Sequence, residues 1–450
     1  MLKKYIHTIG LGICMVAALS CEIGDQVDPN SPSLGSFQSE ALPSQLNNLV
    51  TGTVSNMRSD LDNFYDDVGI VGREYYRFSG SDPRFTSDLL GQGGGMLDNN
   101  AFYVTRPYTE RYQTIKNANI LIEATNNTNQ VTEEEKQAYL GFARTIQAHQ
   151  LLMVLNLQNE NGIRVDVEDP NNLGPFVSRD DALTRIASLL DSGDTHLSNA
   201  VEELPFPLSD GFEGFETAST FRQFNRGLAA RVAVYRELYG DALGYLDESF
   251  MDLEGDLTTG TYYAFQQGGG DRINPIFIAP NASGDIRVAH PDWVEEAEAG
   301  DTRVTEKTAI RDVVAEQADL SSPYDVTVYT SIESPISIIR NEELILLYAE
   351  ANIQEGNLAE GVQALDIIRE AAGLNPLLVA KPSVILSQDA LIEEMLNQRR
   401  YSLFYEGHRW VDMRRYDMLD ELPIDRPGDI VHESFPIPFD EINFEENRGN

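Results

Sequence analysis

The 450-residue sequence is 42% hydrophobic and 23% charged, ample apolar material for a core, and its 72 acidic against 33 basic residues set the net charge at −39. So negative a surface repels phosphate backbones and anionic headgroups, which argues against nucleic-acid binding and electrostatic membrane adsorption. It suits a soluble body in a salty or extracellular medium, where screening over roughly 8–10 Å relieves the self-repulsion. Cys14 and Cys21 are the only cysteines, so the body carries no disulfide framework, cysteine zinc site or thiol nucleophile. The six histidines form neither an HExxH pattern nor a close pair.

Lys3 and Lys4 precede an apolar run from Gly10 to Leu19, and Ser20 stands before Cys21. A basic start, a short apolar run and a small residue predict an export signal over 1–20, too short to span a bilayer core of about 30 Å. Ala18-Leu19-Ser20-Cys21 resembles a bacterial lipoprotein signal, although Ala18 stands where a branched residue is usual. That resemblance implies cleavage before Cys21 and lipidation of its thiol, with each buried acyl CH₂ contributing about 0.8 kcal/mol to anchoring. Residues 21–36, rich in Pro, Ser and Asp, read as a flexible acidic tether, similar to those that carry some lipoproteins to the outer surface.

Helical periodicity then takes over. A helix is expected near Pro43–Phe64 and another over Pro107–Asn126. Thr132 with Glu135 forms a capping box for a helix over Thr132–Gln158, whose Tyr139, Phe142, Ala143, Ile146, Met153 and Leu157 share one face. Ser178–Leu204, stopped by Pro205, and Thr220–Leu238 predict a further hairpin. Between Gly240 and Ser337 the periodicity fades amid glycine and proline, which predicts long loops with short strands such as Tyr324–Tyr329. From Glu342 to Arg369 two helices turn at Gly356; Leu344, Leu347, Tyr348 and Ala351 mark one stripe, and Leu358, Val362, Leu365 and Ile368 the other. The expected fold is mainly α: degenerate tetratricopeptide-type hairpins forming a scaffold over 37–240 and 337–450, within one domain over 37–450, with a loop-rich insertion over 241–336.

Three C-terminal segments carry a family likeness. Leu391–Arg415 contains Phe404, Glu406, Gly407, Arg409, Asp412 and Arg415 in a Phe-x-Glu-Gly-x-Arg-x-x-Asp-x-x-Arg run. Together with Arg340–Asn352 before it and Phe435–Pro438 with Glu441 after it, this segment resembles the SusD/RagB family of surface lipoproteins. The resemblance implies a non-enzymatic binder of oligosaccharides, or of peptides in some relatives. Such a protein sits at the outer membrane as the lid of a SusC-like TonB-dependent transporter and needs no cofactor.

Physically, Arg340, Arg399, Arg400, Arg409, Arg414 and Arg415 beside Glu350, Glu393, Glu394, Glu406 and Asp412, with Gly407 and Trp410, predict an ion-pair network pinning helices together. Catalysis by Glu406, His408 and Asp412 is disfavoured, because no nucleophile or oxyanion hole accompanies them. Sugar capture calls for aromatic rings with polar neighbours, and the candidates in the expected loops are Tyr75, Tyr76, Arg84, Phe85, Tyr103, Tyr262, Tyr263 and Trp293. No residues are assigned to catalysis or to a metal. A glycosidase would need two carboxyl groups flanking a cleft, to which no local motif points. A helical-repeat adaptor, the rival reading, expects its contacts on concave helix faces instead.

Overall fold

Residues 40–447 are described by the computed structural model; the expected signal, Cys21 and the tether over 21–36 lie outside them. The first half is helical. It runs α1 (Pro43–Asn56), α2 (Leu61–Val71), the strand β1 (Tyr75–Phe78), then α3 (Phe102–Asn127) and α4 (Glu133–Gln158). After the short strands β2 (Ile163–Arg164) and β3 (Phe176–Val177) come α5 (Arg179–Ser198), α6 (Ala218–Tyr235) and α7 (Tyr239–Asp247). Neighbours in sequence pack on one another from α3 through α7, as stacked hairpins require.

Local chemistry explains most boundaries. Thr132 accepts from the Glu135 N–H at 3.1 Å while Glu135 accepts from the Thr132 N–H at 2.7 Å, which closes the capping box at the start of α4. Ser178 caps α5 by accepting from the Asp181 N–H at 3.2 Å. The single helix expected over Pro43–Phe64 is instead two, broken where Asp60 adopts a left-handed φ of 46°. Helix α3 begins before Pro107 and keeps that proline inside, because Tyr103, Val104 and Tyr108 bury its first turns in the core.

The region from Gly240 to Ser337 holds more regular structure than its composition predicts. It contains β4 (Gly260–Tyr263), β5 (Ile286–Ala289), α8 (Pro291–Glu295), α9 (Thr302–Lys307), β6 (Thr308–Gln317), β7 (Leu320–Val326) and the start of β8 (Ile336–Arg340). An antiparallel sheet runs β1-β5-β7-β6, and β4 pairs with β8. Tyr75 lies opposite Ala289, a pairing far too distant in sequence for local pattern to reveal.

The chain ends with α10 (Asn341–Gln354), α11 (Leu358–Ala371), α12 (Leu377–Ala380), α13 (Gln388–Ser402), α14 (Arg409–Arg415) and α15 (Phe439–Asn447). Gly356 turns the α10–α11 hairpin at φ 82°, a backbone that costs glycine little. The stripe facing α11 is not the expected one. Ile345, Leu346, Ala349 and Ile353 meet Leu365 and Ile368 in a separate small core shared with α13, whereas Leu344, Leu347 and Ala351 join the main core. Helix α10 has no single apolar face because it is buried on nearly every side, with its buried Glu343 and Glu350 paired to Arg231 and Arg415. Among the described residues no helix is long and apolar enough to cross a membrane.

Candidate ligand-binding site

Strand alternation separates two adjacent tyrosines. On β4, Tyr263 points inward and shares a 2.8 Å hydrogen bond with His149, while Tyr262 stays half-buried at the surface. Two hollows of about 440 Å³ each flank Tyr262 and share its ring and Thr258. One is walled by Phe215, Phe250 and Asp210, the other by Tyr329, Pro335 and the end of α11. The Tyr262 hydroxyl donates to the Thr258 carbonyl, which holds the ring as a ridge between them.

The second hollow has a charged floor. Lys307 on α9 donates to the carbonyls of Tyr401 and Ser402 at 2.9 and 2.5 Å, and burial pushes its ammonium down to about 8. Arg340, at the end of β8, bridges Glu342 and Glu406 and donates to the Ser402 carbonyl at 2.9 Å. Burial raises the Glu406 carboxyl, with Arg340 and Lys307 opposing the rise. Fixed donors and acceptors beside a ring edge can recognise sugar hydroxyls while the ring covers an apolar sugar face. Among the described residues, no group of three or more His, Cys, Asp or Glu could hold a metal ion.

Six of the eight sequence candidates are core residues. Tyr75 donates to the Tyr65 carbonyl and meets Tyr405 edge-on, and Tyr76 donates to Asp425 while stacking on Phe78. Phe85 lies beneath Arg77, Tyr103 donates to Asp88, and Tyr263 is enclosed as described above. Trp293 is 1% exposed, stacked on Phe404 at 4.1 Å with its Nε1 donating to the Arg400 carbonyl. Rings so enclosed have no free face to offer a ligand. Only Tyr262 and Arg84 reach solvent, and Arg84, clamped on Asp82 above Phe102, does not line the Tyr262 cleft. Lys307, Tyr329 and Thr258 were not among the candidates; that Lys307 is one of six lysines in so acidic a chain was the available signal.

The motif residues form ion pairs. Arg399 grips Asp412 with two bonds of 2.7 and 3.1 Å, and Arg415 joins Asp412 at 3.1 Å and also contacts Glu350. Trp410 donates to the His432 carbonyl at 2.8 Å. Gly407 takes φ 81° with Val68 only 2.8 Å from where a Cβ would stand. Arg400 pairs with Glu296 at 2.7 Å. Arg409 makes no ion pair among the described residues; it borders a cleft of about 400 Å³ with Arg400 and Glu74.

Glu74 is the outlier there. One oxygen accepts from the Tyr405 N–H at 3.2 Å, the other is buried without a partner, and burial pushes the carboxyl up to about 8. Between the ordinary value near 4.5 and about 8 the folded chain binds the extra proton, so stability falls as pH rises through this window. Glu74→Gln is expected to flatten that decline, which is on the order of a few kcal/mol. Urea denaturation of both proteins across pH 5 to 9 measures it.

Stacked helical hairpins thus carry a surface cleft built around the β4–β8 strand pair. Residues 318–447 match the SusD family model. Over 142 residues the chain is 35% identical to SusD-like protein P38 of Formosa agariphila, a match covering 30% of this chain and only 28% of that relative's length. Among solved structures, surface glycan-binding protein A from Bacteroides thetaiotaomicron superposes with a TM-score of 0.71 at 14% identity, over 92% of this chain and 98% of that one. NanU of B. fragilis does so at 0.69 and 16%, over 94% and 98%. A laminarin-binding SusD-like protein gives 0.63 and 17%, over 90% and 97%. At such identities the structures show a common fold. The sequence likeness to the SusD family lies in residues 318–447, and the fold of nearly the whole chain is shared with SusD-superfamily structures.

Proposed function

We propose that this protein captures oligosaccharides in the Tyr262 cleft and passes them, without altering them, to a SusC-like TonB-dependent transporter. Lipidated Cys21 would hold it at the outer membrane facing the exterior, with residues 21–36 as tether. The observation that carries the binding reading is the Tyr262 ridge between two hollows, beside the fixed charges of Lys307, Arg340, Glu342 and Glu406. Two similar structures support the ligand class: one is surface glycan-binding protein A in complex with laminarihexaose, the other a laminarin-binding protein. Arg84 with Phe102 is a secondary contact surface.

Calorimetric titration against a panel of glucans, other glycans and short peptides tests this reading. Tyr262→Ala is expected to weaken glycan affinity about five- to thirtyfold, because stacking on one ring contributes on the order of 1–2 kcal/mol. Its melting temperature should stay within a few degrees of the parent's. Unchanged affinity would remove the site, peptide binding alone would change the ligand class, and release of reducing sugar by the pure protein would make it an enzyme. Co-purification with a barrel partner tests the transporter.

A further inference from the structure

Far from Tyr262 in the lining residues it employs, a polar cavity of about 150 Å³ lies where the end of α4, the start of α5 and α14 converge. Three guanidiniums border it. Arg415 is neutralised by Glu350 and Asp412. Arg414 has no such partner: it donates to the carbonyls of Asn156 at 2.6 Å and Glu433 at 3.1 Å, lies 3.9 Å from the Trp410 ring centre, and its buried Nε finds no acceptor. Burial first, and the charge of Arg179 second, push the Arg414 guanidinium down to about 9.

Arg179 is hardly better matched. Its acidic neighbours are Glu160 at 3.9 Å and Asp180 at 3.4 Å, whose side chains are 77% and 90% exposed and so screened by solvent. Glu237, the other acid at the rim, is also exposed. In a chain of net charge −39, two arginines therefore share a cavity with no buried counter-charge between them. Tyr239 adds a phenol to the wall.

We propose that this cavity binds a single oxyanionic group, a sulfate, phosphate or carboxylate, free or carried by a ligand. Guanidinium forks match the spacing of two oxyanion oxygens, and an anion would relieve the repulsion between Arg179 and Arg414. With room for about five waters, the cavity accepts one such group and excludes an oligosaccharide. It shares no lining residue with the Tyr262 cleft, so the two assignments stand or fall separately.

The test titrates sodium sulfate, sodium phosphate and glucuronate into the protein at constant ionic strength, reading heat and melting temperature. Sulfate stabilises proteins in general by exclusion from their surface, but that effect grows steadily with concentration and does not depend on one side chain. The expected result is a saturable response at millimolar anion, weakened at least fivefold in Arg179→Gln and retained in Tyr262→Ala. Tyr239→Phe is a milder second variant, expected to weaken the response two- to threefold. Saturation by sulfate or phosphate assigns a tetrahedral group, and saturation by glucuronate alone a carboxylate. A non-saturating response to all three anions, or one equal in Arg179→Gln, overturns the proposal.

Discussion

Asp412→Ala is expected to cost about 3–5 kcal/mol of stability, the range for removing one partner of a buried ion pair. Asp412 accepts from both Arg399 and Arg415, all three side chains are shielded from solvent, and Arg399 already has one terminal nitrogen without an acceptor. Without the carboxylate, Arg399 becomes a buried cation with no ion-pair partner, left only the charge of Glu350, which Arg415 already engages. Arg400→Ala gives the contrast. Its partner Glu296 is mostly exposed, and loss of that pair is worth no more than about 1 kcal/mol. Urea midpoints of the two variants should differ accordingly; equal small losses would mean that solvent reaches Asp412.

Trp293→Ala is expected to destabilise by about 3–5 kcal/mol, as truncation of a large buried aromatic does. The ring fills the space against Phe404 and Tyr401, and its N–H ties α8 to the Arg400 carbonyl of α13. Below the melting temperature, the variant should bind glycan with the parent's affinity, because Trp293 does not line the Tyr262 cleft. Tyr262→Ala should do the reverse. A Trp293→Ala protein that keeps its stability but loses glycan would restore the tryptophan to the binding surface.

Those opposite expectations mark how much a sequence can disclose. Helix α4 was legible because its signals are local: a cap three residues wide and an apolar face repeating every turn. The paired arginines and acids of the C-terminal motif announced ion pairing, yet not its partners, since Arg415 meets Glu350 and Arg340 meets Glu406 across more than sixty residues. Tyr75 and Tyr76 looked like loop aromatics because nothing nearby shows that β1 will be covered by β5, more than two hundred residues later. Tyr262 and Tyr263 could be named together but not told apart, because which face of a strand meets the core depends on where its partner β8 lies.

Arg73 donates to the carbonyls of Pro423 and Ile430, Glu74 receives the Tyr405 N–H, Arg426 donates to the Thr86 carbonyl, and the Phe435 N–H reaches Leu157. The early segments are thus locked by stretches of chain made hundreds of residues later. At typical synthesis speeds, roughly 20–70 s separate Arg73 from the carbonyl at position 430. Through that interval the nascent polypeptide lacks its clasp and is open to a protease until the residues near 430 have emerged.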